Sequence, residues 1–440
     1  MGITAMPRRV LGLGGVACLV LLGSAAGLLG RPAGAAAAAS SGLPAALGAG
    51  RLVPHPGSSS VLAGLSCPSP GNCWAVGAYA SGSGAVLNQA LHWNGVRWSR
   101  VSVPSPGGTA LHDVSELAGV SCALPRNCWA VGAYASGSGA VLNQALHWNG
   151  VRWSRASVPS PGGTASHRLS LLLGVRCTSS ANCWAVGGYI NGNAALLNQA
   201  LHWNGRTWSL VRTPDPGGTG AGGPPAPPPL NALNGVACTA SANCWAVGFY
   251  VNGNGASLNQ ALHWNGRTWS RVLTPDPGGT RAGANSMLSD VACTASANCW
   301  AVGLYVNGNG ASLNQALHWN GRTWSRVLTP DPNGTGAGAS NTLNGVTCAS
   351  PANCWAVGSY GFIRNGTGVQ VNQALHWNGR TWSLVATPDP AGTASGDASE
   401  LFSVRCIRSA SCWAVGDSQR KGGSDLSQAL HWNGTRWSTG

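Results

Sequence analysis

An all-β fold is predicted for this 440-residue chain: a seven-bladed β-propeller of four-stranded antiparallel blades, closed by N- and C-terminal segments that share one blade. Three observations predict it. One segment, typified by SLNQALHWNGRTWSRVLTP at 257–275, recurs seven times, with its His-Trp pair beginning at 92, 147, 202, 263, 318, 376 and 431. The copies are spaced by 55 to 61 residues, a period that belongs to repeat arrays. Each period also splits into four short apolar runs separated by turn-rich stretches, and helix formers are scarce: Lys occurs once, Glu twice and Met three times.

Taken in order, residues 1–40 read as a signal peptide, either cleaved or kept as an anchor. Arg8 and Arg9 form a basic start, Val10 to Leu29 an apolar stretch, and Ala33-Gly34-Ala35 small residues suited to cleavage. The twin arginine loosely resembles an export motif, and Cys18 is a weaker candidate for lipidation. Residues 41–50 are a small-residue linker, and 51–440 form the propeller. Leu52 to Gly57 matches 102–107 at the end of the first full repeat, while the chain stops at Trp437-Ser438-Thr439-Gly440, where other repeats continue. A ring in which the two ends complete one unit accounts for this; an open solenoid would want polar caps instead.

In the fourth repeat the predicted strands are 233–238, 244–251, 258–264 and 268–273. Asn265-Gly266 is expected to form a two-residue type I′ hairpin turn. In such a meander the first-to-second and third-to-fourth turns share one face of the ring. The variable loops, including 80–85, 191–195, 361–369 and 421–426, share the other with the inter-blade stretches, and that variable face is the candidate binding face. The insertion at 217–229, with its PPAPPP, reads as a flexible or polyproline excursion.

Fourteen cysteines fall into seven C-x5-C pairs: Cys67 and Cys73, Cys122 and Cys128, Cys177 and Cys183, Cys238 and Cys244, Cys293 and Cys299, Cys348 and Cys354, Cys406 and Cys412. Even numbers at fixed spacing in an exported chain predict disulfides. Zinc is disfavoured, because each pair lacks two further ligands in its repeat and the periodic His lies about twenty residues on. No metal and no cofactor is expected. Without Arg8, Arg9 and Arg31 the chain has 22 basic against 11 acidic residues, and a periodic arginine follows each Asn-Gly, as at Arg97, Arg152 and Arg267. In an exported protein this charge points to anionic envelope polymers or headgroups before nucleic acid, or simply to solvated side chains.

CWAVGFY at 244–250 followed by ALHWNGRTWSRV at 261–272 resembles the kelch repeat, with an apolar second strand running into glycine and a tryptophan shortly after a polar turn. The resemblance covers 51–440 and implies kelch-like architecture. The chain departs from it in keeping a double glycine only at Gly187-Gly188 and in carrying the paired cysteines, so no kelch partner or copper site is carried over.

The 21 tryptophans, three per repeat, read as blade-to-blade packing, with sugar stacking as the lesser alternative, and the periodic histidines as structural groups bonded between blades. Two further periodic positions are expected to approach the variable face as ligand-binding candidates: Tyr79, Tyr134, Tyr189, Tyr250, Tyr305 and Tyr360, and the glutamines of the Asn-Gln pairs, Gln89, Gln144, Gln199, Gln260, Gln315, Gln373 and Gln428. Amides beside an aromatic suit sugar hydroxyls, though they also satisfy backbone groups at strand entries. Neither Glu116 nor Glu400 falls on a predicted inner strand, and no nucleophile elbow, nucleotide loop or metal constellation is present. The sequence therefore predicts a monomeric, non-catalytic binding or scaffold propeller, secreted or held at a bacterial cell envelope. Its expected ligand is a carbohydrate, an anionic polymer or a protein; nucleic acid is not expected, and a membrane only through an uncleaved signal anchor. The alternative is a secreted polysaccharide hydrolase or lyase, with Glu116 and Glu400 as the available carboxylates.

Overall fold

The computed structural model describes residues 59–220 and 229–440. The signal, the linker, Cys18, Leu52 to Gly57 and most of the proline-rich insertion lie outside the described residues. The remainder holds 28 strands in seven four-stranded antiparallel blades. In the first blade, β1 (Ser60–Ser69), β2 (Asn72–Ala80), β3 (Val86–Trp93) and β4 (Trp98–Arg100) follow one another as a meander. The pattern recurs as β5–β8 at 115–156, β9–β12 at 170–211, β13–β16 at 231–272, β17–β20 at 285–327, β21–β24 at 340–385 and β25–β28 at 398–439. Each blade, the first and last included, is one contiguous stretch of four strands, so the expected blade shared by the two ends of the chain is not formed: the last repeat supplies its own outermost strand, β28 (Trp437–Thr439). The first strands pack against one another around the axis, and the short fourth strands lie outermost.

The seams explain the tryptophans. Trp74 on β2 is 1% exposed; it lies 4.7 Å from the ring of Trp148 and edge-on at 5.1 Å to Trp153, both in the next blade. The same trio recurs at every seam, and Trp413 of the last blade meets Trp93 and Trp98 of the first. Backbone bonding closes the circle there too, with the Ser60 amide donating to the Asp425 carbonyl as the Val86 amide donates to that of Asp113. The chain is thus an all-β, closed, seven-bladed propeller.

All seven predicted disulfides are present, each joining a first strand to a second near their shared turn. Seven such bonds fit a chain that matures in an oxidising compartment. Because the closed loop is short, replacing Cys122 and Cys128 together by alanine is expected to cost about 2 kcal/mol. A urea titration of the native and double-variant proteins measures it.

The tight turn differs from expectation. Trp93 pairs with Trp98, leaving a four-residue loop, 94–97, in which only glycine has positive φ (Gly95, 95°). The reason is the asparagine side chain: Asn94 Oδ1 accepts from the amides of Val96 and Arg97, and so organises the loop itself. The two faces are as expected. Trp93 Nε1, beside this loop, donates to the Pro70 carbonyl in the disulfide turn, whereas Ser83 Oγ in the β2–β3 loop donates to Thr109 in the inter-blade stretch.

Candidate functional site

The periodic glutamines are buried in the seams between blades. Gln144 is 1% exposed, its Oε1 accepting from Asn88 Nδ2 and its Nε2 donating to Asn88 Oδ1 across the seam. Equivalent clasps hold Gln199, Gln260, Gln315, Gln373 and Gln428 to the asparagine of the preceding blade. Gln89 is equally buried, with its Oε1 lacking a hydrogen-bond partner among the described residues. These amides do not reach the variable face as expected, because the third strands start inside the seam.

The tyrosines sit nearer the outer edge. Arg155, Arg271 and Arg326 lie over the rings of Tyr134, Tyr250 and Tyr305 at 5.1, 4.7 and 4.7 Å and donate to their hydroxyls. Tyr189 and Tyr360 belong to blades with Leu210 and Leu384 at the arginine position, and Tyr79 lies close enough to Arg100 to act on its charge. No tyrosine is brought to the ring axis.

Five of the seven periodic histidines, His92, His202, His263, His318 and His431, bond within their own blade rather than between blades, and His376 Nε2 lacks a hydrogen-bond partner among the described residues. His263 stacks on Trp245 at 4.7 Å and donates from Nε2 to Asn243 Oδ1, because the third strand lies directly beside the second. Burial lowers the pKa of His263, as of the other six, and keeps the imidazole neutral.

What the structure does gather is a set of residues that break the repeat. The first strands carry a Leu-x-Gly-Val-x-Cys pattern, bulged at the glycine, and enclose an axial cavity of about 730 Å³. Crowding favours glycine there in the first blade, where a Cβ on Gly64 would lie 2.8 Å from the Ala118 carbonyl oxygen of the next blade. Asp290 and Ser403 replace that glycine, Arg176 and Arg405 occupy the position before the cysteine, and Glu116 and Glu400 the position before the leucine.

Both glutamates therefore stand on innermost strands, Glu116 on β5 (Ser115–Leu124) and Glu400 on β25 (Ala398–Arg408), contrary to the sequence reading. The strands begin earlier than the apolar run indicates, since buried polar residues such as Ser115, Ser170 and Ser399 extend them outward.

Between the last two blades these positions form a polar mouth towards the variable face. Glu400 Oε1 accepts from Asn344 Nδ2 at 2.8 Å and Oε2 from Gln370 Nε2 at 3.0 Å, while Gln370 also donates to Ser359 Oγ. Asp417 pairs with Glu400 across the strands. Burial raises both carboxyls; hydrogen bonds from Asn344, Ser359 and Gln370 oppose the rise at Glu400, and the charges of Glu400 and Asp425 add to it at Asp417. The hairpin of β22 (Asn353–Arg364) and β23 (Thr367–Trp377) is longer than in other blades and brings Phe362 and Ile363 to the cavity rim. In the middle blades the cognate layer is apolar, with Leu171, Ala232, Phe249 and Met287.

The opposite end is cationic. Arg176 and Arg405 line the cavity there, Arg405 lying roughly 15 Å along β25 from Glu400 at the rise of an extended strand, and Asp290 lines it at the level of the bulge. Among the described residues no group of three or more His, Cys, Asp or Glu side chains is placed to hold a metal. Sequence reading missed Arg176, Arg405, Asn344 and Gln370, and marked Asp290 only as a carboxylate outside the repeated Pro-Asp-Pro turns. Superposing the seven repeats on the leucine before the bulge and marking each departure would have found the two arginines and Asp290, whereas Asn344 shares its residue type with Asn234 of the fourth blade.

Glu116, across the first blade from Glu400, is pushed up to about 7 by burial. The folded state then holds a proton that the unfolded state has released, so this carboxyl's stabilising contribution is present below about pH 4.5 and is lost as pH rises towards 7. Glu116→Gln is accordingly expected to gain thermal stability relative to the native protein on going from pH 4.5 to 7. Melting curves across that range test it, and parallel curves would contradict it.

No family model and no curated protein matches the chain. Solved structures similar to it include the WD40 β-propeller domain of Doa1, with 9% identity, 86% of this chain and 96% of that one covered, and a TM-score of 0.43. A GH93 α-L-arabinofuranosidase of Fusarium graminearum with arabinobiose aligns at 12% identity over 68% and 89%, with a TM-score of 0.39. A Mycobacterium tuberculosis puromycin-hydrolyzing peptidase aligns at 10% identity over 86% of this chain and 53% of its own, with a TM-score of 0.46. None of these likenesses carries a function to this chain.

Proposed function

We propose that this chain is an exported, kelch-like, non-catalytic binding propeller of a bacterial cell envelope, and that its axial cavity takes a carbohydrate segment entering from the variable face. The observation that carries this reading is the mouth between the last two blades, where Asn344 and the repeat-breaking Gln370 and Glu400 converge on a cavity of about 730 Å³ beside Phe362. That volume lies within the range of ligand sites, and a few convergent amide and carboxylate groups next to an aromatic suit hydroxyl recognition. The exposed arginines of the Asn-Gly loops, such as Arg97 and Arg267, add an attraction to anionic polymers on the opposite face.

One observation favours the hydrolase alternative: Glu400 and Asp417 are neighbouring carboxyls of raised pKa. Against it, both oxygens of Glu400 already accept amide hydrogens, and Asp417 stands on β26 (Ser411–Gln419), the second strand of the blade. A polysaccharide panel, scored for both retention and released product, separates the readings. Retention without product, weakened at least about tenfold in Asn344→Ala or Gln370→Ala, is the expected result. Turnover abolished by Glu400→Gln would replace the binding reading with the enzymatic one.

A further inference from the structure

We propose that the disulfide-side end of the axial cavity is a binding site for a small oxyanion, a carboxylate or a phosphate group, held between Arg176 and Arg405. The inference goes beyond the carbohydrate reading and does not depend on it.

The two arginines occupy the same position in blades three and seven, directly before the cysteine. Elsewhere that position holds Ser66, Ser121, Ala237, Ala292 and Thr347, and the hydroxyls of Ser66 and Ser121 accept the cysteine amide of the next blade. Guanidinium has no acceptor, so neither arginine makes this seam bond. Both side chains instead line the cavity.

Charge is left over there. The guanidiniums are close enough that burial and the charge of Arg405 together bring Arg176 down to about 10. Asp290 is the acid that acts on both, and its two oxygens already accept the amides of Val291 and Val346. Arg176 Nε is buried and lacks a hydrogen-bond partner among the described residues. Two cations against one occupied carboxylate leave a net positive charge in a confined space, and buried unpaired charge is costly. An oxyanion would compensate it, since its oxygens match the planar guanidinium forks.

Thermal-shift titrations of the purified protein at pH 7 and constant ionic strength test this, with inorganic phosphate, acetate and D-glucuronate as probes and D-glucose as the neutral control. At least one anion is expected to raise the melting temperature saturably. Arg176→Gln and Arg405→Gln should each weaken that response at least about tenfold, the loss of a charge-assisted contact. Should either variant fail to fold, Asp290→Asn carries the test, because removing the competing carboxylate is expected to tighten anion binding several-fold. An absence of any saturable anion effect, an undiminished response in folded arginine variants, or weaker binding in Asp290→Asn would overturn the proposal. Binding of glucose without anions would overturn it while leaving the carbohydrate reading intact; phosphate binding with no polysaccharide retained would do the reverse.

Discussion

Trp245→Ala is expected to destabilise the ring by about 3–5 kcal/mol, the range for truncating a fully buried aromatic. Trp245 is 1% exposed, stacks on His263 of its own blade and packs against Trp319 at 4.7 Å and Trp324 at 5.1 Å in the next. Removing it empties the centre of one seam, whose other members, Leu288, Val291 and Ala301 among them, are held by strands on both sides and have little freedom to collapse inwards. An exposed apolar side chain gives the contrast: Leu273→Ala, at 77% exposure, should change stability by less than about 0.5 kcal/mol. Equilibrium urea unfolding followed by tryptophan fluorescence measures both. A similar loss in the two variants would mean that the seams do not carry the fold.

Gly303→Ala is expected to be at least as damaging, about 3 kcal/mol or more, through a different cause. A Cβ at Gly303 would lie 2.0 Å from the Met287 carbonyl oxygen, which the bulge between Leu288 and Asp290 turns towards it. The obstacle is backbone, so no rotamer change relieves it, and the bulge would have to flatten. Because that bulge sets Asp290 facing the axis, the same substitution should also disturb the cavity. Gly308, with no atom within 4 Å of a Cβ, is the matching control, and Gly308→Ala should leave the melting temperature close to native. Far-ultraviolet circular dichroism melts compare the two.

Much of the architecture was legible in the sequence because it repeats. The cysteine spacing announced a cross-strand bond at one turn, and the disulfides follow it. The apolar runs CWAVGFY and ALHW placed the second and third strands close to their observed ends, 243–251 and 257–264 in the fourth blade. Loops were harder. Asn-Gly signals a type I′ turn only when its backbone is left to itself, and here the asparagine oxygen takes two amides and widens the loop to four residues.

The site was less legible, for a physical reason. Periodic polar residues on a ring must satisfy each seam in turn, so Gln144 and its counterparts became clasps. Specialised groups occur where a seam or the axis departs from the pattern, and Arg176 or Gln370 shows no periodicity to draw attention. Glu400 was visible as a lone carboxylate, yet it stood one residue outside the apolar run and so outside the strand that in fact carries it.

The central claim is that recognition takes place in the axial cavity, at the residues that depart from the repeat. Hydrogen–deuterium exchange of the native protein, with and without a polysaccharide retained from the panel, tests it most directly. The account predicts protection concentrated in 340–347, 361–370 and 398–405, with the outer strands unchanged. Protection confined to the Asn-Gly loops or to the outer edge, or a panel from which nothing is retained, would contradict it.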